Sequence, residues 1–324
     1  MDESIKVARG PIFLVGATGT GKSAVALDLA RRLGGAILAM DAMQVYRGAD
    51  IGTSKPTRAE QEGIPHGGLD LVDFGAHFDV ALYLQHAAAF LQEQAEARRP
   101  VIIVGGTGLY FRALTRGLCE APQGSDELRA ELNALSVEAL RERLRAIDPV
   151  MLAQVDASNP RRLIRAIEVM EATGKSLRVW QAKTPEPLVR DFQAFWIGRE
   201  KAELQARLEA RVGAMFEAGW VEEVRGLVQQ YGMKAVLAFA GIGYREIAEA
   251  GMGNGVAPTS ACPNGVWERG DKVPITSPAL KNDILVTTRQ YAKRQLTWFA
   301  REPNLRQVML SGSQPFPADA LLLP

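Results

Sequence analysis

The sequence predicts an α/β fold, a parallel sheet flanked by helices and carrying a helical insertion domain. Three observations lead there. Short apolar runs alternate with stretches of helical period, the pattern of strands buried on both faces by crossover helices. A glycine loop joins the first run to the first helix. After about Leu118 the apolar runs stop and Arg-rich helical text replaces them.

Taken in order, PIFLV (from Pro11) is the first strand and SAVALDLARRL (from Ser23) the first helix. AILAM follows as a second strand and ends at Asp41, before the polar loop AMQVYRGADIGTSKP. Residues 79–97 have helical spacing with Asp79 as N-cap, and Pro100 stops them ahead of VIIVGG, a third strand. In 125–175 Ser125 opens a helix, and Pro149 and Pro160 punctuate later ones. DFQAFWIGRE (191–200) reads as a strand returning to the sheet, and 201–231 as helix. The expected division is a core of 8–118 and 191–310 around a helical insertion at 119–190. The Gly/Pro-rich text at 251–281 is expected as a flexible insert within the core, with a helix at 282–301 after it. The tail beyond Pro303 is expected to be loosely attached.

Composition narrows the function classes. Of 324 residues, 47% are hydrophobic and 23% charged, the balance of a globular enzyme. Thirty-eight basic against 37 acidic residues give a net charge of +1, so a nucleic-acid partner would have to be held by local patches. Cys119 and Cys262 match no metal spacing and fit free thiols of a reducing compartment. The histidines, His66, His77 and His86, have no metal spacing either. The start lacks a signal-peptide apolar core and no run reaches a membrane span, so the expectation is cytoplasmic, without membrane contact.

Gly16-x-x-x-x-Gly21-Lys22-Ser23 matches the P-loop pattern between a strand and a helix. In that setting backbone N–H groups and a helix N-terminus converge on an anion. Lys22 adds positive charge, and the Ser23 hydroxyl is placed to meet a magnesium ion. The third strand, however, ends in Gly105-Gly106-Thr107-Gly108 without the carboxylate usual in P-loop hydrolases. The strand-end acid is Asp41, which could orient a nucleophile and take its proton, or simply cap the next turn. Gln44 offers the donor and acceptor pair that suits an adenine edge. Thr107 opens a second glycine loop at the same edge. Arg161, Arg162 and Arg165 cluster at one helix start, where 161 and 165 share a face. In TRQYAKRQLTWF (288–299), basic and amide side chains interleave with aromatics, a texture that suits RNA or a helix with an apolar core face.

GATGTGKS, DAMQVYRGADIGTSKP, IIVGGTGLYFRAL, NPRRLIRAIEV, GWVEEV, GIGYREI and TRQYAKRQLTWF, in this order, resemble the tRNA dimethylallyltransferases, also called tRNA isopentenyltransferases. The resemblance spans about residues 12–250 and 284–302. It implies transfer of a dimethylallyl group from dimethylallyl diphosphate to the exocyclic amine of the adenosine 3′-adjacent to the anticodon, in tRNAs reading U-starting codons. It also implies release of diphosphate, Mg2+ as cofactor, a fold like P-loop nucleotide kinases, and a monomer that binds the tRNA anticodon stem-loop. By family position, Gly16, Ala17, Thr18, Gly19, Thr20, Gly21, Lys22, Ser23 and Arg245 would hold the diphosphate, Ser23 also the metal. Asp41, Thr107 and Lys22 would be catalytic. Asp41, Ala42, Met43, Gln44 and Thr107 would meet the flipped adenosine. Further tRNA contacts would come from Arg129, Arg161, Arg162, Leu163, Ile164, Arg165, Gly243, Tyr244, Arg245, Lys293, Arg294, Gln295 and Trp298. The competing readings are an adenylate prenyltransferase, a small-molecule P-loop kinase, and a noncatalytic RNA-binding protein with a relic P-loop.

Overall fold

The computed structural model describes residues 10–183, 185–251, 277–312 and Phe316. Six strands form one all-parallel sheet: β1 (Ile12–Val15), β2 (Ala36–Met40), β3 (His66–Gly67), β4 (Val101–Gly105), β5 (Gln193–Arg199) and β6 (Arg306–Leu310). Their order is β3-β2-β4-β1-β5-β6. Every residue of β1, β2 and β4 is buried, which is why they read as unbroken apolar runs instead of alternating ones. β1 lies between β4 and β5, with Val15 level with Gly105 and Trp196. This register brings the ends of β1 and β4 side by side, and β2 follows with Met40 level with Gly105.

Helix α1 (Lys22–Leu33) packs Val25 and Leu29 against Ile12, Leu14, Ile37, Ile102, Phe195 and Ile197 of the sheet. Gly34, left-handed at φ 60, ends it. Helix α2 (Val80–Glu96) starts at Asp79, whose carboxylate accepts from the Ala81 and Leu82 N–H groups. Helix α3 (Gly108–Arg116) leaves the end of β4.

The chain divides into two compact units, one of residues up to Phe111 and from Val189, the other Arg112–Leu188. The second is helical: α4 (Asp126–Asn133), α5 (Val137–Ile147), α6 (Pro149–Leu152), α7 (Pro160–Thr173) and α8 (Leu177–Gln181). Each begins at a polar cap, Ser125, Ser136, Asp148, Asn159 or Ser176, that accepts from the first turn. Leu132, Leu140, Leu144, Leu163 and Ile167 form its core.

The first unit continues after β5 with α9 (Lys201–Glu217), α10 (Trp220–Tyr231), α11 (Met233–Ala238), α12 (Tyr244–Gly251) and α13 (Pro278–Phe299). Leu204, Leu208, Val212, Trp220, Val224, Tyr244, Ile247, Ile284 and Ala292 bury one shared cluster. No helix among the described residues is long and apolar enough to cross a membrane.

Three expectations need correction. The span 201–231 is two helices, because Gly219 takes φ 95 between them. The insert at 251–281 is too wide: Gly251 closes α12, and Pro278–Lys281 form the first turn of α13, where Ser277 caps the Leu280 N–H. Residues 252–276, where most of that insert falls, lie outside the described residues. The tail beyond Pro303 is not loose, since Arg306–Leu310 pair with β5 and Leu310 is buried.

Candidate active site

The carboxyl ends of β1, β2 and β4 open into one cleft of about 1070 Å³, at the edge where parallel α/β sheets place their ligands. Thr18, Lys22, Ser23, Asp41, Ala42, Met43, Gln44, Thr107, Arg294, Gln295 and Trp298 all line it, so residues separated by up to 280 positions in sequence order converge.

At the β1 end, the loop Gly16–Gly21 turns into α1. Lys22 Nζ donates to the Ala17 carbonyl at 3.0 Å and Thr20 Oγ1 donates to the same oxygen at 2.9 Å. Burial, joined by the positive charge of Arg211, lowers the Lys22 ammonium to about 8, while the Asp41 carboxylate pulls it back up. Arg211, on α9, lines the same cleft. Its guanidinium is lowered by burial, again opposed by Asp41, and it stays a cation. Two cations and a carboxylate therefore share one partly desolvated space.

At the β2 end, Asp41 Oδ1 accepts from the Met43 N–H at 2.8 Å. Only one carboxylate oxygen is spent on this turn, so a capping role leaves the other available at the cleft that Asp41 lines. Thr107 Oγ1 accepts from the Ala42 N–H at 3.2 Å and its N–H donates to the Met40 carbonyl at 3.4 Å, tying the β4 end to the β2 end. Gln44 Nε2 donates to the Thr53 and Ser54 carbonyls, both at 3.1 Å. The amide is thereby oriented, with Oε1 left without a protein partner among the described residues. The cleft wall beyond it is pinned from α10: Glu223 accepts from the N–H groups of Asp50 (2.9 Å), Ile51 (2.6 Å) and Gly52 (3.4 Å), and from Tyr244 Oη (2.6 Å). Lys55, buried, donates to the Tyr46 carbonyl, Asp50 and Asp70 at 2.6 Å each.

Several expected contacts are placed elsewhere by the structure. Gln295 is buried, with Oε1 accepting from the Thr18 N–H at 2.8 Å and Nε2 donating to the Gly106 carbonyl at 3.0 Å. It is an internal clasp between two glycine loops, with both amide atoms engaged by backbone groups and the Thr18 N–H held by Oε1. Tyr244 is fully buried against Trp220 and Phe239, and a Cβ on Gly243 would collide with Trp220, so neither faces RNA. Arg245 is exposed, does not line the cleft and donates to the Leu237 carbonyl at 2.5 Å. Leu163 and Ile164 are core residues of the helical unit. In that unit Arg129 forms a two-pronged pair with buried Glu168 (2.6 and 2.9 Å), and Arg165 donates to the Ala121 and Pro122 carbonyls. Both are committed to the fold, whereas Arg161 and Arg162 are exposed. Lys293 is exposed outside the cleft, and Arg294 sits 5.9 Å over the Tyr291 ring.

Sequence reasoning missed Arg211 and Glu223. Both lie in helices whose apolar period dominates the text; the available signal was Glu203, Arg207 and Arg211 recurring every four residues beside Leu204, Leu208 and Val212.

A parallel sheet with a P-loop, two cations beside it and a carboxylate on the same cleft defines the class, an α/β protein with a P-loop at the carboxyl edge of its sheet. Residues 44–302 match the family model described as IPP transferase, and residues 11–70 that described as isopentenyl transferase. The tRNA dimethylallyltransferase of Methylacidiphilum infernorum (isolate V4) is 44% identical over 302 residues, covering 93% of this chain and 86% of that protein. The full-length tRNA isopentenylpyrophosphate transferase of Bacillus halodurans superposes with a TM-score of 0.62 at 32% identity, covering 93% of this chain and 89% of that one. A eukaryotic dimethylallyltransferase acting on tRNA shares the fold, with a TM-score of 0.72 at 22% identity over 92% of this chain and 73% of that one. The chain belongs to the IPP transferase family and is an enzyme of the prenyltransferase class.

Proposed function

We propose that this enzyme transfers a dimethylallyl group from dimethylallyl diphosphate to the exocyclic amine of the adenosine 3′-adjacent to the anticodon, in tRNAs reading U-starting codons. One observation carries the reading: the P-loop with Lys22 and Arg211, and Asp41 with Thr107, line a single cleft. A phosphate leaving group and a proton-losing nucleophile then meet in one space.

The chemistry balances on these residues. The carbon–oxygen bond of the donor breaks, and diphosphate leaves with the electron pair, its charge met by Lys22, Arg211 and the N–H groups of the loop. The amine nitrogen forms the new bond to the allylic carbon and loses a proton to the free oxygen of Asp41. Gln44 Oε1 is oriented to accept from the same amine, since its Nε2 is already engaged. Thr107 holds the Asp41 turn at its place.

The Ser23 hydroxyl fits Mg2+: it is a hard oxygen on the cleft beside the P-loop, where the remaining positions of the ion would go to substrate phosphates and water. Such a site needs no cluster of three acidic or imidazole ligands, and none exists among the described residues. Ser23 would hold the ion, which when bound neutralises charge on the leaving diphosphate. The exposed Arg161 and Arg162 of the helical unit, and Lys293 and Arg294 on α13, support an extended RNA partner through phosphate contacts. The enzyme acts as a monomer, in the cytoplasm with its tRNA.

The test is an incubation with radiolabelled dimethylallyl diphosphate, Mg2+ and either unmodified tRNA or AMP. Label entering tRNA is expected; transfer confined to AMP would reject the reading.

A further inference from the structure

The outer side of the P-loop is as highly organised as the side that faces the cleft. Arg207 Nε, on α9, donates to the Gly19 carbonyl at 2.9 Å. Arg199 Nε, at the end of β5, donates to the Thr20 carbonyl at 2.9 Å. Neither arginine lines the cleft. Across a trans peptide, a carbonyl and the following N–H point in opposite directions. Drawing the Gly19 and Thr20 carbonyls outward therefore turns the N–H groups of Thr20 and Gly21 inward. Neither N–H donates to a protein group among the described residues, so both are left for an anion.

The two guanidinium groups converge on one glycine. A Cβ on Gly21, which has φ 90, would lie 3.3 Å from Arg199 Nη2 and 3.4 Å from Arg207 Nη2. Gly19, at φ 82, leaves no room for a Cβ against Leu208 of the same helix. The pairing of the two arginines differs. Arg199 is closed in by Glu203 and donates to the Gly312 carbonyl at 2.8 Å, just past the end of β6. Arg207 has no carboxylate partner among the described residues and is exposed. Its positive charge therefore remains uncompensated behind the loop.

We propose that Arg207, with Arg199 beside it, is a positioning residue for the donor diphosphate: it sets the peptide planes of the P-loop so that two N–H groups aim into the cradle before the donor arrives. The inference rests on the diphosphate reading of the site given above. Preorganised donors lose no free energy to reorientation when the anion binds, so the effect falls on donor affinity and not on the acceptor.

The experiment uses the full chain with R207M and R207K, and measures dimethylallyl diphosphate binding by calorimetry in Mg2+ buffer, steady-state kinetics with tRNA, and Tm. R207M is expected to weaken donor binding by about tenfold, the scale of one charge-assisted hydrogen bond. The KM for tRNA and Tm should stay at wild-type values. R207K should recover only part of the affinity, because an ammonium keeps the charge but not the planar fork. Unchanged donor affinity in R207M overturns the proposal. So does full recovery by R207K, which would leave charge alone as the cause, or an equal loss for both substrates with a lowered Tm, which would mark a structural role. If the wild-type protein itself binds no dimethylallyl diphosphate, the diphosphate reading fails first and separately.

Discussion

Lys22 carries a pH dependence that can be read from its surroundings. Its ordinary value is 10.5 and the folded value about 8, lowered by burial and by Arg211. A lowered lysine favours the neutral form in the folded state. Its stability cost is thus present below about 8 and is relieved as pH rises toward 10.5. Anion binding has the opposite sign, because only the ammonium attracts diphosphate. The dissociation constant for dimethylallyl diphosphate should rise about tenfold per pH unit above about 8. Titration calorimetry across that range checks this, with K22M expected weak and flat. Asp41 separates two roles in one side chain. D41N keeps an oxygen for the Met43 N–H but cannot take a proton at the cleft. Turnover should fall by about a hundredfold or more while tRNA and donor affinities hold. Equal losses in turnover and tRNA binding would make Asp41 a capping residue. These residues were legible because Gly16–Ser23 and a strand-end Asp each constrain chemistry within a few positions. Arg211 was not, since one arginine on an amphipathic helix has the same sequence signature as a solvated face.

At the scale of elements, α13 illustrates why residue type alone misassigns contacts. Gln295 and Trp298 suit RNA by their chemistry, yet Gln295 closes the gap between the P-loop and the β4–α3 loop. An amide that can donate and accept serves a backbone clasp as well as a base edge. Q295A would leave the Thr18 N–H and the Gly106 carbonyl unpaired in a buried place, at a cost of about 2 kcal/mol. A lowered Tm by calorimetry, with weaker donor binding as the released loop loses its shape, is the expected result. An unchanged Tm would contradict the clasp. The strands β1, β2 and β4 were legible as continuous apolar runs; β6 was not. It is an edge strand, most of its side chains are not buried, and RQVML lacks both alternation and a continuous apolar run. The break at Gly219 was hidden because the apolar period continues through it from Met215 to Val221.

At the scale of the molecule, the sheet order and the cleft at its carboxyl edge explain how two chemistries share one chain. The unit of residues up to Phe111 and from Val189 holds every residue that lines the cleft. Arg112–Leu188 forms its own helical core and presents Arg161 and Arg162 to solvent. The helical character of this segment was legible from its caps and prolines. The commitment of Arg129 and Arg165 to Glu168 and to the 121–122 backbone was not, because those partners come from distant sequence. The proposed activity joins a prenyl donor to one tRNA adenosine. Its most direct test is nucleoside mass analysis of unmodified tRNA after incubation with dimethylallyl diphosphate and Mg2+. One added isoprene unit is expected, on the adenosine 3′-adjacent to the anticodon, in tRNAs reading U-starting codons. tRNA returned with no added mass, or with the group on another nucleoside, would contradict it.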